Sequence, residues 1–130
     1  IGWQAIFDIL HHPSCRLEKL SLRHNSVNAA AGLSLSGALS NNTTLTTLNL
    51  CCIRDITIAG WQALFEIFQS PTCMLEDLDL SWNRFTDSKL TSLINSLTNS
   101  SSLRSLNLSN NSVITAAGWL AFSAVLQSQH

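Results

Sequence analysis

The stretch Leu75-Glu76-Asp77-Leu78-Asp79-Leu80-Ser81-Trp82-Asn83 sets leucine at its first, fourth and sixth places and closes on an asparagine. Leu78-Asp79-Leu80 alternates with the period of two that buries one face of a short strand and leaves the other in solvent. The same spacing occurs upstream as Leu17, Leu20, Leu22 and Asn25, and downstream as Leu103, Leu106, Leu108 and Asn111. A fourth copy, Leu45, Leu48 and Leu50, has Ile53 in the place of the asparagine. The lead leucines are 28, 30 and 28 residues apart, so short and long units alternate.

Doubling the unit sharpens the match. Gly2-Trp3-Gln4-Ala5-Ile6-Phe7 aligns with Gly60-Trp61-Gln62-Ala63-Leu64-Phe65, and Gly118-Trp119 starts a third copy, all at an offset of 58. Pro13-Ser14-Cys15-Arg16-Leu17-Glu18 aligns with Pro71-Thr72-Cys73-Met74-Leu75-Glu76 at the same offset. The segments between strands carry helical spacing. Trp61, Leu64, Phe65 and Phe68 make one apolar stripe; so do Leu90, Leu93 and Leu97, and Trp119, Phe122 and Leu126. Pro13 and Pro71 fall just past two helix ends, where a residue unable to continue a helix belongs. One strand and one helix cannot close a core alone, so successive units must stack. The asparagine is expected to turn inward and bond the backbone of adjacent turns. The fold expected is α/β, a solenoid with a parallel sheet on its concave side and helices on its convex side.

These features resemble the ribonuclease-inhibitor-like class of leucine-rich repeats, found also in NOD-like immune sensors and in Ran GTPase-activating protein. The 28/30 alternation, the helix after each strand and the glycine opening the helix carry the resemblance across essentially the whole chain. It implies a right-handed β/α superhelix and a protein-binding role. It also admits an alternative, part of a GTPase-activating or other enzyme-regulating protein, although no residue of that activity maps onto this sequence. A second alternative is a structural spacer within a longer array. Cys51-Cys52-Ile53 departs from the pattern of Ser109-Asn110-Asn111, so an altered turn is expected there, with Cys52 or Ile53 filling the interior site.

The chain reads as a single repeat domain over 1–130, with repeats at about 13–44, 45–72, 73–102 and 103–130. Residues 1–12 read as the helix of a truncated repeat, and 116–128 as a helix with no strand after it. An internal stretch of a longer array is therefore expected, one whose uncapped ends and unpaired strand at 103–109 favour self-association.

Charged residues make up only 12% of the 130, about half the usual share, while hydrophobic residues make up 45%. Ser, Thr and Asn must cover the surface. A net charge of -1 argues against nucleic acid, which demands a basic stripe. No apolar run approaches the roughly 18–20 residues of a membrane span. Cys15, Cys51, Cys52 and Cys73 offer no favourable disulfide. The first and last would stand two strands apart, about 9–10 Å, and adjacent cysteines bridge only with strain. Free thiols and a cytoplasmic setting are expected.

The side chains between the leucines should face out from the concave sheet. They are Lys19, Ser21, Arg23 and His24; Thr47, Asn49, Cys51 and Cys52; Asp77, Asp79, Ser81 and Trp82; and Ser105, Asn107, Ser109 and Asn110. The partner-binding candidates among them are Trp82, Asp77, Asp79, Arg23, His24, Lys19, Asn49 and Asn107. Trp82 stands out, because its counterparts are His24, Cys52 and Asn110 and no internal rule calls for an aromatic. An exposed tryptophan near Asp77, Asp79 and Arg84 has the composition of a binding hot spot; the alternative is a ring folded onto Phe85. Trp3, Trp61 and Trp119 recur with the structural period and belong to the core.

His11, His12 and Cys15 could ligate zinc by type. The equivalent segment, Gln69 to Cys73, keeps only the cysteine, which favours an ordinary helix end. Asp77 and Asp79 could do acid–base work, but a flat open sheet offers no desolvated cleft, and an acidic patch near Lys19 and Arg23 is the better reading. No nucleotide-binding, hydrolase or metalloprotease motif is present. No enzymatic activity, cofactor or metal is expected. The sequons at Asn42, Asn99 and Asn110 are those that a chain rich in Asn, Ser and Thr produces by chance.

Overall fold

Alternating leucines make four three-residue strands, and the amphipathic segments between them make helices. A computed structural model describes residues 2–27, 30–53, 56–98 and 100–128, the side chains of 126–128 excepted. The elements run α1 (Gly2–His11), β1 (Lys19–Ser21), α2 (Ala31–Leu39), β2 (Thr47–Asn49), α3 (Ile58–Glu66), β3 (Asp77–Asp79), α4 (Asp87–Leu97), β4 (Ser105–Asn107) and α5 (Ala116–Ser128). A single 3-10 turn, Ile67–Gln69, continues α3. The strands form one parallel sheet in the order β1-β2-β3-β4. Leu20, Leu48, Leu78 and Leu106 stand in one row across it. Each helix packs on the next one in sequence, so every repeat leans on its neighbours.

The core fills the space between sheet and helices. The middle repeats are closed: Leu45, Leu48, Leu50, Leu75, Leu78 and Leu80 are all buried, as are Trp61, Leu64, Phe65, Phe68, Leu90 and Leu93. The outer repeats are more open. Leu17 is exposed, and Leu20, Leu103 and Leu106 are half-buried, because they have a neighbouring strand on one side only. The tryptophans follow the same gradient. Trp61 is buried, its ring edge-on to Phe85 at 5.0 Å, while half-buried Trp3 stacks on Phe7 at 6.4 Å. Trp119 departs from the core assignment: it is 40% exposed, since α5 packs against α4 alone. Leu126, the last of its stripe, lies outside the described side chains.

Threonines open the later helices. Thr57 accepts from the amide of Gly60, Thr86 from that of Lys89, and Thr115 from that of Gly118, each satisfying a donor that the helix itself leaves open. The glycines there have a packing cause. A Cβ on Gly32 would stand 2.7 Å from the Cα of Gly60, so bare backbone is what lets α2 and α3 meet at their starts. At Gly118 the same atom would collide with the Asp87 carboxylate.

The asparagines form an interior ladder. The Asn83 side chain donates to the carbonyls of Leu50 and Leu80 and accepts from the amide of Ile53. The Asn111 side chain donates to Leu80 and Leu108 and accepts from the amides of Asn83 and Phe85. Asn25, in the first strand's turn, is exposed and bonds only the carbonyls of Leu22 and Arg23 within its own turn.

The altered turn expected at Cys51-Cys52-Ile53 does not occur up to Ile53. Ile53 fills the interior site at 3% exposure, and Cys52 takes the same left-handed backbone (φ 54°) as His24 (57°), Trp82 (60°) and Asn110 (59°). The inter-strand ladder runs through the first three of these residues. His24 donates to Cys51, Cys52 to Ser81, and Trp82 to Ser109, all backbone to backbone at 3.0–3.1 Å. An unchanged backbone register leaves the odd residue no way to alter the turn.

Candidate functional site

The last three strand-exit turns are shaped by the residue that closes each strand. The Oδ1 atoms of Asn49, Asp79 and Asn107 accept from the amides of Cys51, Ser81 and Ser109, at 2.9–3.0 Å. Ser81 and Ser109 also donate their hydroxyls to the same oxygens, at 2.6 and 2.7 Å. Each turn is thus held by a side-chain acceptor two residues before it. Spacing alone reads these three residues as solvent-facing candidates; the structure gives each of them a scaffolding bond as well.

Below the turns, the concave surface dips into a groove of about 390 Å³. It brings together five of the predicted residues, Arg23, His24, Asp79, Trp82 and Asn107, with Cys52 between the two repeats. Arg23 and His24 approach through Nη2 and Nε2 at 3.3 Å. Lys19, Asn49 and Asp77 lie outside the groove lining. Lys19 is exposed at the outer strand β1, and Asp77 accepts from the Thr47 hydroxyl at 3.5 Å. Cys51 and Ser81, read as facing out, are buried at 5% and 4% exposure. They are small side chains on the groove floor, overhung by larger neighbours that line it with them.

Trp82 does not fold onto Phe85. Phe85 is fully buried and takes its aromatic contacts from Trp61 and Phe65, whereas Trp82 is 59% exposed. A left-handed backbone at a bulky residue costs about 1–2 kcal/mol, yet Trp82 shares it with the matching turns, and the indole projects from the rim. Trp82 and Cys52 also line a second cavity, of about 600 Å³. Arg84 and Lys89 line it with Trp82; sequence reading noted Arg84 near Trp82 but missed Lys89, which reaches the rim from α4.

The other candidates are occupied locally. His12 Nδ1 accepts from the amide of Ser14, and the Cys15 thiol accepts from Asn42 and Thr44, so both serve the connection from α1 to β1. No group of three metal-ligating side chains converges among the described residues. All four cysteines are free. Asn42 is buried, donating to the Leu10 carbonyl and accepting from the amides of Thr44 and Leu45, which withholds its amide from a glycan. Asn110 is exposed, and Asn99 lies outside the described residues. One carboxylate is perturbed: the hydroxyl and then the amide of Thr115 hold Asp87 below its ordinary value. No helix among the described residues is long and apolar enough to cross a membrane.

Comparison with known proteins agrees with this architecture. A family model described as Leucine Rich repeat matches residues 73–93 and 99–123. Mouse (Mus musculus) NACHT, LRR and PYD domains-containing protein 5 is 34% identical over 113 residues, 86% of this chain and 10% of that protein. Pig (Sus scrofa) ribonuclease inhibitor is 31% identical over 112 residues, 86% of this chain and 24% of the inhibitor. The chain thus spans about a tenth of the length of the first of these relatives. The solved structure of Leiomodin-1 Actin-Binding Site 2 superposes with a TM-score of 0.79 over 97% of this chain and 71% of that one; at 14% identity it speaks for the fold alone. With its leucine and asparagine positions, its parallel sheet and its helices all in place, the chain belongs to the leucine-rich-repeat proteins of the ribonuclease-inhibitor-like class.

Proposed function

We propose that the chain is a non-catalytic protein-binding module whose concave face contacts a protein or peptide partner through Trp82 and the residues around it. The exposure of Trp82 carries this reading. A tryptophan 59% exposed on a hydrogen-bonded turn offers large contact area at little conformational cost. Asp79, Asn107, Arg23 and His24 border the same groove and supply polar and charged partners for orientation. Asp77, Asn49 and Lys19 extend the surface along the strands. Relatives of the chain include ribonuclease inhibitor, whose name states that it acts on another protein. The free thiols support a reducing setting such as the cytoplasm.

Affinity capture from the source cells tests this with three forms of the chain. They are the native form, a concave variant (Asp77→Asn, Asp79→Asn, Trp82→Asn) and a convex variant (Gln62→Ala, Thr91→Ala). The asparagines keep the turn acceptor at 79 and tolerate the left-handed backbone at 82. A protein retained stoichiometrically by the native and convex forms and lost with the concave form supports the reading. Equal retention by all three, or loss with the convex form alone, overturns it.

A further inference from the structure

The second cavity shares Cys52 and Trp82 with the concave groove and otherwise has a lining of its own. Part of that lining is apolar: Ile53, Ile56 and Trp61, each at 8% exposure or less. Trp82 and the cations Arg84 and Lys89 line it as well, and no carboxylate does so among the described residues. At about 600 Å³ it falls within the roughly 300–1,000 Å³ of ordinary ligand sites.

Two observations describe this place. Arg84 and Lys89 make no ion pair and no side-chain hydrogen bond among the described residues, as is true also of Arg16 and Lys19. The turn also carries a second left-handed residue. Arg84 has φ 54°, while Ser112 in the next turn and Ser26 two turns before are not left-handed. Trp82 and Arg84, left-handed residues on either side of Asn83, both line the one cavity.

An apolar floor beside two cations, with no carboxylate among the described lining residues, is complementary to an apolar side chain with a carboxylate beside it. We propose that this cavity is a second docking site, separate from the concave face, for a partner segment in which acidic residues flank an aromatic or aliphatic one. The apolar side chain enters over Ile53, Ile56 and Trp61 against the Trp82 ring. The acidic neighbour pairs with Arg84 and Lys89, where part of the water has been displaced. Trp82 thus borders both sites.

Titration of the full chain with a blocked pentapeptide Glu-Phe-Asp-Leu-Glu, followed by the indole N–H resonances, tests the proposal. Trp82→Asn identifies the relevant resonance. The expected result is a shift of the Trp82 signal larger than those of the other three tryptophans. Binding should weaken at least about tenfold in the Arg84→Glu, Lys89→Glu double variant, a change worth about 1.4 kcal/mol. The Asp77→Asn, Asp79→Asn variant should bind as the native chain does. Four outcomes overturn the site. They are no shift at Trp82 at millimolar peptide, equal binding of Lys-Phe-Lys-Leu-Lys, equal binding by the charge-reversed variant, and binding of inorganic phosphate as tight as that of the peptide. The concave-face reading can fail in its capture experiment without changing this titration, and the reverse also holds.

Discussion

Asn25 and Asn83 occupy equivalent places in the repeat, but their surroundings make them unequal. Asn83 joins three backbone groups from two turns inside the core, while Asn25 bonds two carbonyls of its own turn at the surface. Asn83→Leu would orphan the Ile53 amide and the Leu50 and Leu80 carbonyls. At about 1–3 kcal/mol for each buried group left unmade, the expected loss is on the order of 3–5 kcal/mol. Asn25→Leu should lose less than about 1 kcal/mol, because water reaches its partners. Urea denaturation of the two variants checks this, and equal losses would mean that the ladder is not what holds the turns together. The inward asparagines were legible in the sequence, since spacing fixes which residue follows the strand. The left-handed backbone was not. At Trp82 and Cys52 it belongs to a turn geometry shared with His24 and Asn110, and no local preference of tryptophan or cysteine announces it. Exposure at Trp82, and burial at Cys51 and Ser81, likewise depend on what neighbouring repeats place overhead.

Between elements, Asp87 at the start of α4 accepts from both the hydroxyl and the amide of Thr115, which caps α5. These bonds hold its carboxyl below the ordinary aspartate value. A carboxyl depressed on folding adds stability above its unfolded value, near 3.9, and that contribution is lost as pH falls through the lower folded value. The native chain should therefore lose α4–α5 cohesion with acid below about pH 4. Asp87→Asn, which keeps an acceptor without a titrating proton, should flatten that part of the acid limb. Thermal melts across the acid range compare the two, and parallel curves would remove Asp87 from the account. Sequence periodicity read the stripes of α3 and α4, which depend on residues three and four apart, whereas the stripe of α5 opens at Trp119. The glycine opening the helix was visible as a pattern, but its cause is spatial: Gly32 meets Gly60 across two helices, and Gly118 makes room for Asp87.

Over the whole molecule, the 58-residue period carried most of what sequence could say, because stacking repeats that length the chain's contacts in one direction. It gave strand order, helix side and core residues, and it separated Trp82 from the three periodic tryptophans. It gave less at the two ends, where the same residue type meets a different number of neighbours, as Trp119 shows. There β4 forms one margin of the sheet, and Leu106, Leu108, Ile114, Trp119 and Phe122 line an open apolar depression of about 540 Å³. Unpaired strand edges and open apolar surface recruit one another. The isolated chain should associate at high concentration, with Leu106→Lys reducing the effect. Light scattering over a concentration series decides, and a monodisperse monomer throughout would refute it.

The row of left-handed turns has a consequence for how such a surface changes over generations. His24, Cys52, Trp82 and Asn110 differ in every chemical respect, yet the backbone presents them from matching positions. The scaffold's demand falls on the main chain, so the letter written at that place is nearly free of the grammar around it. Duplicating or exchanging a repeat would then carry its displayed side chain to a new address without rewriting the neighbours. Recognition in a lineage built this way can diverge by shuffling cassettes, while the architecture beneath is inherited unchanged.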